Sequence, residues 1–124
     1  MFIQHNPNPQ GKHVGDCTVR AISVALGRSW FRVYFGLCFL GAMIADMPDS
    51  NAVWGEYLRR HGFTRVELPN TCPVCYTVRD FASDHKCGIY VLGTGSHAVA
   101  VVDGNYVDDG DRGDLVPLYI WRKE

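Results

Sequence analysis

The spacing of apolar residues divides the chain into a helical first half and a strand-rich second half. Between residues 17 and 61, apolar side chains recur at intervals of three and four positions, which is the spacing of one helix face. After residue 62, short apolar runs alternate with glycine, proline and aspartate, a pattern typical of strands joined by turns. Helices followed by strands predict an α+β fold, with the helices packed on a C-terminal antiparallel sheet.

Three helices are predicted in the first half, after an extended or turning arm over residues 1–15. The first runs from Cys17 to about Leu26, with Asp16 as its N-cap and Gly27 just past its end. The second runs from Trp30 to about Asp46, and the third from Ser50 to His61.

The second helix carries a broad apolar stripe. Such a stripe predicts the central helix of the core, and a surface for a partner is the alternative interpretation. The stripe consists of Phe31, Tyr34, Phe35, Cys38, Phe39, Ala42 and Met43.

The second half is predicted to hold one short helix and several strands. Thr77 and Asp80 resemble a capping box that opens a helix ending near Asp84. Asp103-Gly104 predicts a two-residue hairpin turn, because both central positions of a type I′ turn need a positive φ. The predicted strands are Phe63–Leu68, Gly88–Leu92, Ser96–Val102, Asn105–Asp108 and Val116–Trp121.

Length, composition and charge narrow the class of protein. The 124 residues, 47% of them hydrophobic and 20% charged, predict a single globular domain over residues 1–124. A net charge of −1 argues against a nucleic-acid partner. We expect no signal peptide, because the first residues contain no basic stretch followed by an apolar core. We expect no membrane association, because the longest apolar stretch, Val33 to Ala45, is too short to span a bilayer. Five cysteines, an odd number, favour a cytoplasmic protein with reduced thiols.

Cys17 is the first candidate for chemistry, because it stands at the predicted start of a helix. Free backbone N–H groups and the positive end of the helix dipole both favour a thiolate there, and the thiolate is the nucleophilic form. His97 follows 80 positions later at the mouth of a predicted strand. An early cysteine and a distant histidine are typical of nucleophilic catalysis, with His97 as the base.

A carboxylate near His97 completes the predicted triad. Across the Asp103-Gly104 turn, Asp108 comes roughly opposite His97, and directly opposed side chains in paired strands are close enough to interact. Asp108 is therefore predicted to orient the imidazole, while Asp103 serves the turn. Asp109 and Asp111 remain alternatives for the carboxylate.

Acyl transfer also needs donors for an oxyanion. The backbone N–H of Cys17 supplies one. A side-chain amide of the preceding arm is predicted to supply the second, with Gln10 as the first choice and Asn8 or Asn6 as alternatives.

Other residues permit two interpretations each. Arg20, one turn after Cys17, either raises the local positive potential or pairs with a surface carboxylate. Trp54 and Tyr57 either line a cleft or pack in the core.

We predict no metal and no cofactor, although one cysteine pair allows an alternative. Cys72 and Cys75 form a CxxC pair that, with Cys87 and His85, has the residue types of a zinc site. A single CxxC pair with irregularly spaced partners falls short of the usual ligand patterns.

The segment from Asn8 to Ser23, Asn-Pro-Gln-Gly-Lys-His-Val-Gly-Asp-Cys-Thr-Val-Arg-Ala-Ile-Ser, resembles the opening of small papain-like cysteine peptidase-type proteins of bacteria and their phages. Residues 27–30, 76–81 and 97–108 are also similar to that family. The resemblance covers most of the chain. It implies a papain-like fold, with Cys17 as nucleophile, His97 as base and Asp108 as orienting acid. The chain departs from papain at Gly11, where papain has its oxyanion-hole glutamine.

Together these features predict a cysteine-dependent hydrolase that cleaves a peptide, amide or isopeptide bond in a peptide or protein substrate. The alternative is a non-catalytic binding protein with the same fold, such as a phage-encoded inhibitor of a host defence system. The papain-like resemblance does not distinguish between substrates, because one fold hosts many activities.

Overall fold

A computed structural model describes residues 1–68 and 76–123. Within these residues it contains four helices and six strands. None of those helices has the length and apolar character needed to cross a membrane. The elements are β1 (Phe2–Gln4), α1 (Cys17–Leu26), α2 (Trp30–Ile44), α3 (Asn51–Arg60), β2 (Phe63–Glu67), α4 (Val78–Asp84), β3 (Ile89–Gly93), β4 (Ala98–Val102), β5 (Asn105–Asp108) and β6 (Tyr119–Lys123).

The α+β class is confirmed, but the sheet is mixed and is not purely antiparallel as predicted. Its strand order is β1-β5-β4-β3-β6-β2, and β1 pairs with β5 in parallel while the other neighbours are antiparallel. β1 was missed in the predicted arm, because three residues are too few to show an alternating pattern. β1 pairs with β5, which lies far from it along the chain, and this pairing places Gln4 beside Asp108.

Helices cover both faces of the sheet. Alternate residues of one strand belong to different cores, so Val91 packs toward α1, α2 and α3, while Leu92 packs toward α4. In β4 the same alternation separates Ala98 from Val99. Burial on both faces explains why β4 is apolar throughout.

The hairpin between β4 and β5 has the predicted turn. Asp103 and Gly104 have φ values of 50° and 84°, as a type I′ turn requires. Ala100 pairs with Val107, so the register continues with Val99 opposite Asp108. His97 is therefore diagonal to Asp108, two positions further along, and not opposite it as predicted. A diagonal pair is still within reach of long side chains.

The starts of α2 and α4 have the predicted caps. The Ser29 hydroxyl accepts a hydrogen bond from the backbone N–H of Arg32, and Thr77 and Asp80 form a complete capping box. Trp54 and Tyr57 are both buried in the core.

The prediction that the apolar stripe of α2 faces the core is wrong, because most of that stripe is exposed. The buried residues of α2 are Val33, Leu37, Leu40 and Gly41. The helix is apolar on nearly all sides, so periodicity alone did not select a face. α2 also packs closely against α3, since a Cβ added at Gly36 would lie 2.7 Å from Tyr57 Cε2.

Candidate active site

Cys17, His97 and Asp108 meet at one end of the sheet. Cys17 is the first residue of α1, His97 immediately precedes β4, and Asp108 ends β5. His97 Nε2 lies 2.8 Å from Asp108 Oδ2, a distance at which the ring N–H donates to the carboxylate. The Cys17 thiol is hydrogen-bonded to the same imidazole, whose Nδ1 is the nitrogen left for it. The sequence-predicted nucleophile, base and carboxylate are therefore in one contact chain.

The surroundings favour the charged forms of both Cys17 and His97. Burial by itself raises the pKa of Cys17, but hydrogen bonds from His97 and the Ala98 backbone N–H, with the charges of His97 and Arg20, bring that pKa below its ordinary value. Burial opposes the charge on His97, yet its hydrogen bonds to Asp108 and Cys17 raise the pKa of His97 to about 9. At pH values above the pKa of Cys17 and below that of His97, the favoured state is a thiolate paired with an imidazolium.

Arg20 links α1, the helix that begins at Cys17, to the carboxylate of Asp108. Its side chain is only 7% exposed, and its Nε donates to Asp16 Oδ1 at 2.8 Å. Its Nη1 lies 2.9 Å from both Asp108 Oδ1 and Asp109 Oδ1. The interpretation of Arg20 as the partner of a surface carboxylate is wrong, because all three carboxylates are buried.

Asp109 belongs to this ion-pair cluster and does not contact His97. Arg112 Nη1 lies 2.6 Å from Asp109 Oδ1 and 3.0 Å from Asp108 Oδ1, and His13 Nδ1 lies 3.0 Å from Asp109 Oδ2. Burial raises the pKa of Asp109, but its bonds to Arg112 and His13 and its attraction to Arg20 bring it well below the usual range. Asp111, the other alternative, accepts hydrogen bonds from the Tyr106 hydroxyl and the Gly113 backbone.

Asp16 precedes α1 as predicted, but its side chain does not cap the helix. Besides Arg20, it accepts hydrogen bonds from Trp30 Nε1 at 2.9 Å and from Asn8 Nδ2 at 3.2 Å. Asp16 therefore connects the arm, α1 and α2 at the position immediately before Cys17.

The structure does not bring the predicted arm amides to the thiol. Gln10 is exposed and lines a different cavity. Asn8 Oδ1 accepts from the backbone N–H groups of Gln10 and Lys12, and Asn6 Nδ2 donates to the Lys12 carbonyl. These amides hold the arm in shape.

A cavity of about 230 Å³ surrounds the thiol, and Asn51 is the side-chain amide that lines it. Asn51 Oδ1 accepts from Trp54 Nε1 at 2.9 Å, which fixes the orientation of the amide and leaves Nδ2 as a donor. Sequence reasoning missed Asn51, because nothing in its position beside the cap of α3 relates it to Cys17.

A second cavity, of about 640 Å³, adjoins the first. Gly15, Thr18 and Asp49 line both cavities. The larger one is bounded by the arm and by apolar side chains of α2, including Trp30, Tyr34 and Leu37. Neither Cys17 nor His97 lines the larger cavity.

The residues described show no metal site. Among residues 1–68 and 76–123, no group of three histidine, cysteine or acidic side chains has an arrangement that could hold a metal ion. Cys72 and Cys75 lie outside the described residues, so the alternative zinc site is untested. Cys87 is exposed, and the His85 ring stacks on Phe81 with Nδ1 2.8 Å from that residue's carbonyl oxygen.

The chain matches no protein-family model, no curated protein and no solved structure in the three comparisons made. The geometry around Cys17 is therefore the basis for assigning a function.

Proposed function

We propose that this protein is a papain-like cysteine hydrolase that cleaves a peptide, amide or isopeptide bond. The observation that carries the proposal is the hydrogen-bonded chain from the Cys17 thiol through His97 to Asp108. Cys17 starts a helix, His97 precedes one strand and Asp108 lies on the next strand. In this arrangement the thiol can act as nucleophile, the imidazole as base and the carboxylate as the group that orients the imidazole.

The proposed reaction proceeds through a thioester. The Cys17 thiolate attacks the carbonyl carbon, and the C=O electron pair becomes an oxyanion. The His97 imidazolium then donates its proton to the leaving nitrogen as the C–N bond breaks. Neutral His97 next takes a proton from water, the hydroxide attacks the thioester, and the acid product leaves as Cys17 regains the thiolate.

The two cavities suggest how a substrate lies across the thiol. The leaving nitrogen receives its proton from His97 and therefore belongs in the smaller cavity, which includes the imidazole. The acyl part of the substrate then extends past Gly15 and Thr18 into the larger, mostly apolar cavity.

The alkylation of Cys17 by iodoacetamide, followed against pH by mass spectrometry, tests the proposal. We expect rapid alkylation at pH 6, because the pair with His97 keeps the thiolate populated well below the ordinary thiol pKa of about 8.5. His97→Ala should slow alkylation at this pH at least about tenfold, since the hydrogen bond and the charge of His97 then no longer offset the burial that raises the pKa of Cys17.

Cys87, an exposed thiol in the same chain, is the internal reference, and replacement of the exposed His5 by alanine is the matched control. The alkylation rate of Cys87 in His97→Ala and that of Cys17 in His5→Ala should both equal the rates in the parent protein. Equal rates for Cys17 and Cys87 at pH 6, unchanged by His97→Ala, would contradict the proposal. A binding role for the fold would then be the better interpretation.

Asn51 is expected to stabilise the oxyanion together with the backbone N–H of Cys17. Asn51→Ala should slow acylation by p-nitrophenyl acetate, measured as the burst of nitrophenolate, at least about tenfold, because one oxyanion donor is lost. Alkylation by iodoacetamide should keep its rate, since that displacement forms no oxyanion. Gln10→Ala is the control and should change neither rate. An Asn51→Ala protein with an undiminished burst would exclude Asn51 from this role.

A further inference from the structure

Helix α2 presents an uncovered apolar face. One row of side chains at i+4 spacing forms what we call the outer ridge: Phe31, Phe35, Phe39 and Met43. Each member is between 52% and 70% exposed. Cys38 and Ala42, which are smaller, lie in the adjacent row and leave a groove beside the ridge.

The face is large for a surface that meets only water. Large side chains expose about 200 Å² each when free, so the outer ridge and the neighbouring Tyr34 together leave about 600 Å² of mainly apolar surface uncovered. Contiguous apolar patches of this size are at the upper limit for a monomer and mark interaction sites.

We propose that the outer ridge is the contact surface between two copies of this chain, related by a twofold axis that places their α2 helices antiparallel. Because ridge and groove occupy the same helix face, the surface is complementary to itself, as a twofold interface requires. Rows spaced by four residues pack into equivalent grooves of a second helix, which is the commonest class of helix packing. Two such faces together offer up to about 1,200 Å² for burial, which is the lower end of the range of stable interfaces.

Charge favours a second copy over a lipid surface. Arg32 is the single charged residue within α2, and the first charges after the helix are Asp46 and Asp49. Helices that lie on membranes carry many lysines and arginines beside their apolar face. In the antiparallel arrangement the two Arg32 side chains lie at opposite ends of the interface, so they repel each other little.

The proposed dimer has a consequence for the larger cavity. A twofold axis between Phe35 and Phe39 brings Met43 of the second copy beside Phe31, which lines that cavity. The second copy would therefore extend one cavity wall. The smaller cavity around Cys17 has no lining residue from α2 and stays open.

Sedimentation velocity over a range of micromolar concentrations tests the interface. The full chain should sediment with twice the mass of one copy. Phe35→Asp should raise the dissociation constant at least about thirtyfold, the effect of losing a central interface residue. Leu118→Asp, at a side chain that is 48% exposed and whose backbone bonds to Leu68 and Gly93 in the sheet, should leave the dimer intact. Circular dichroism of each variant verifies that it is folded.

Cross-linking provides a second measurement that does not depend on substituting the ridge. Cys38 lies one position from the midpoint of the outer ridge, so a short bismaleimide should give a Cys38–Cys38 peptide detectable by mass spectrometry. Cys38→Ser should remove this peptide, and Cys87→Ser should retain it. A monomer at every concentration without this cross-link would overturn the proposal, as would a monomer that floats with phosphatidylcholine–phosphatidylglycerol vesicles. None of these outcomes depends on whether Cys17 is catalytic.

Discussion

Replacing Arg20 with methionine is expected to lower the free energy of unfolding by about 3–5 kcal/mol, because it leaves buried carboxylates without their counter-charge. The guanidinium lies within 2.9 Å of Asp16, Asp108 and Asp109, and each of those carboxyl side chains is no more than 7% exposed. Methionine preserves much of the volume and removes only the charge and its donors. Urea denaturation at pH 7 followed by fluorescence measures the change.

Two further variants separate charge from geometry. Arg20→Lys keeps the charge but has a single ammonium in place of the planar fork that reaches Asp16 with Nε and Asp108 with Nη1, so we expect an intermediate loss. Arg60→Met removes an exposed ion pair with Glu56 and should lower the free energy of unfolding far less than Arg20→Met. An Arg20→Met protein as stable as Arg60→Met would contradict the role given to this cluster.

The same cluster gives stability a defined dependence on acid. The pKa of Asp109 is lower in the folded protein than its ordinary value of 3.8. Its contribution is therefore complete above that value and is lost as the pH falls through the lower, folded pKa.

Asp108→Asn is expected to abolish the charged state of His97 at neutral pH. Asparagine retains an oxygen near His97 Nε2, but the negative charge that helps to hold the pKa of His97 at about 9 is gone. Burial then acts against the imidazolium with the contact to Cys17 left to support it, and we expect the pKa of His97 to fall toward its ordinary 6.5. NMR titration of the His97 ring measures this shift directly.

The reactivity of Cys17 should fall together with the His97 pKa. When His97 loses its charge, one of the interactions that lower the pKa of Cys17 is lost, so alkylation of Cys17 at pH 7.5 should slow by about tenfold or more in Asp108→Asn. Asp114→Asn, at a carboxyl side chain that is 89% exposed and paired with Arg79, is the control and should behave as the parent. Unchanged titration of His97 in Asp108→Asn would show that Asp108 does not set its charge.

The pH dependence of the parent has a definite sign. Because the folded pKa of His97 is raised, the stabilisation from its contacts is complete below about 6.5 and is lost as the pH rises through about 9. Asp108→Asn should move this loss of stability toward lower pH. It should move the rise of Cys17 reactivity toward higher pH, because the charge of His97 no longer lowers the pKa of Cys17.

Several features could be read from local sequence because their physics is local. The start of α1 at Cys17, the Thr77–Asp80 capping box and the Asp103-Gly104 turn each depend on the conformations of a few neighbouring residues. The pairing of His97 with Asp108 was also predicted, since a hairpin ties register to turn length. Its detail was wrong by two positions, because His97 precedes the strand and reaches Asp108 diagonally.

Other features depended on contacts between distant parts of the chain. Gln10 was predicted near the thiol from its place in the arm, but the arm folds against α2 and takes Gln10 to the larger cavity. Asn51 enters the smaller cavity because α3 packs beside α1 and the sheet, and Arg20 reaches Asp108 across 88 positions. No periodicity or local motif encodes such distances.

The sequence by itself determined the α+β class, the helix starts, the hairpin turn and the residue types for a thiol–imidazole–carboxylate site. Only the tertiary structure decided which face of α2 is buried, that three carboxylates converge on Arg20, and which amide lies beside the thiol. The physical reason is the range of the interactions. Capping and turn preferences act over a few residues, whereas burial and ion pairing depend on which surfaces approach most closely after the whole chain has packed.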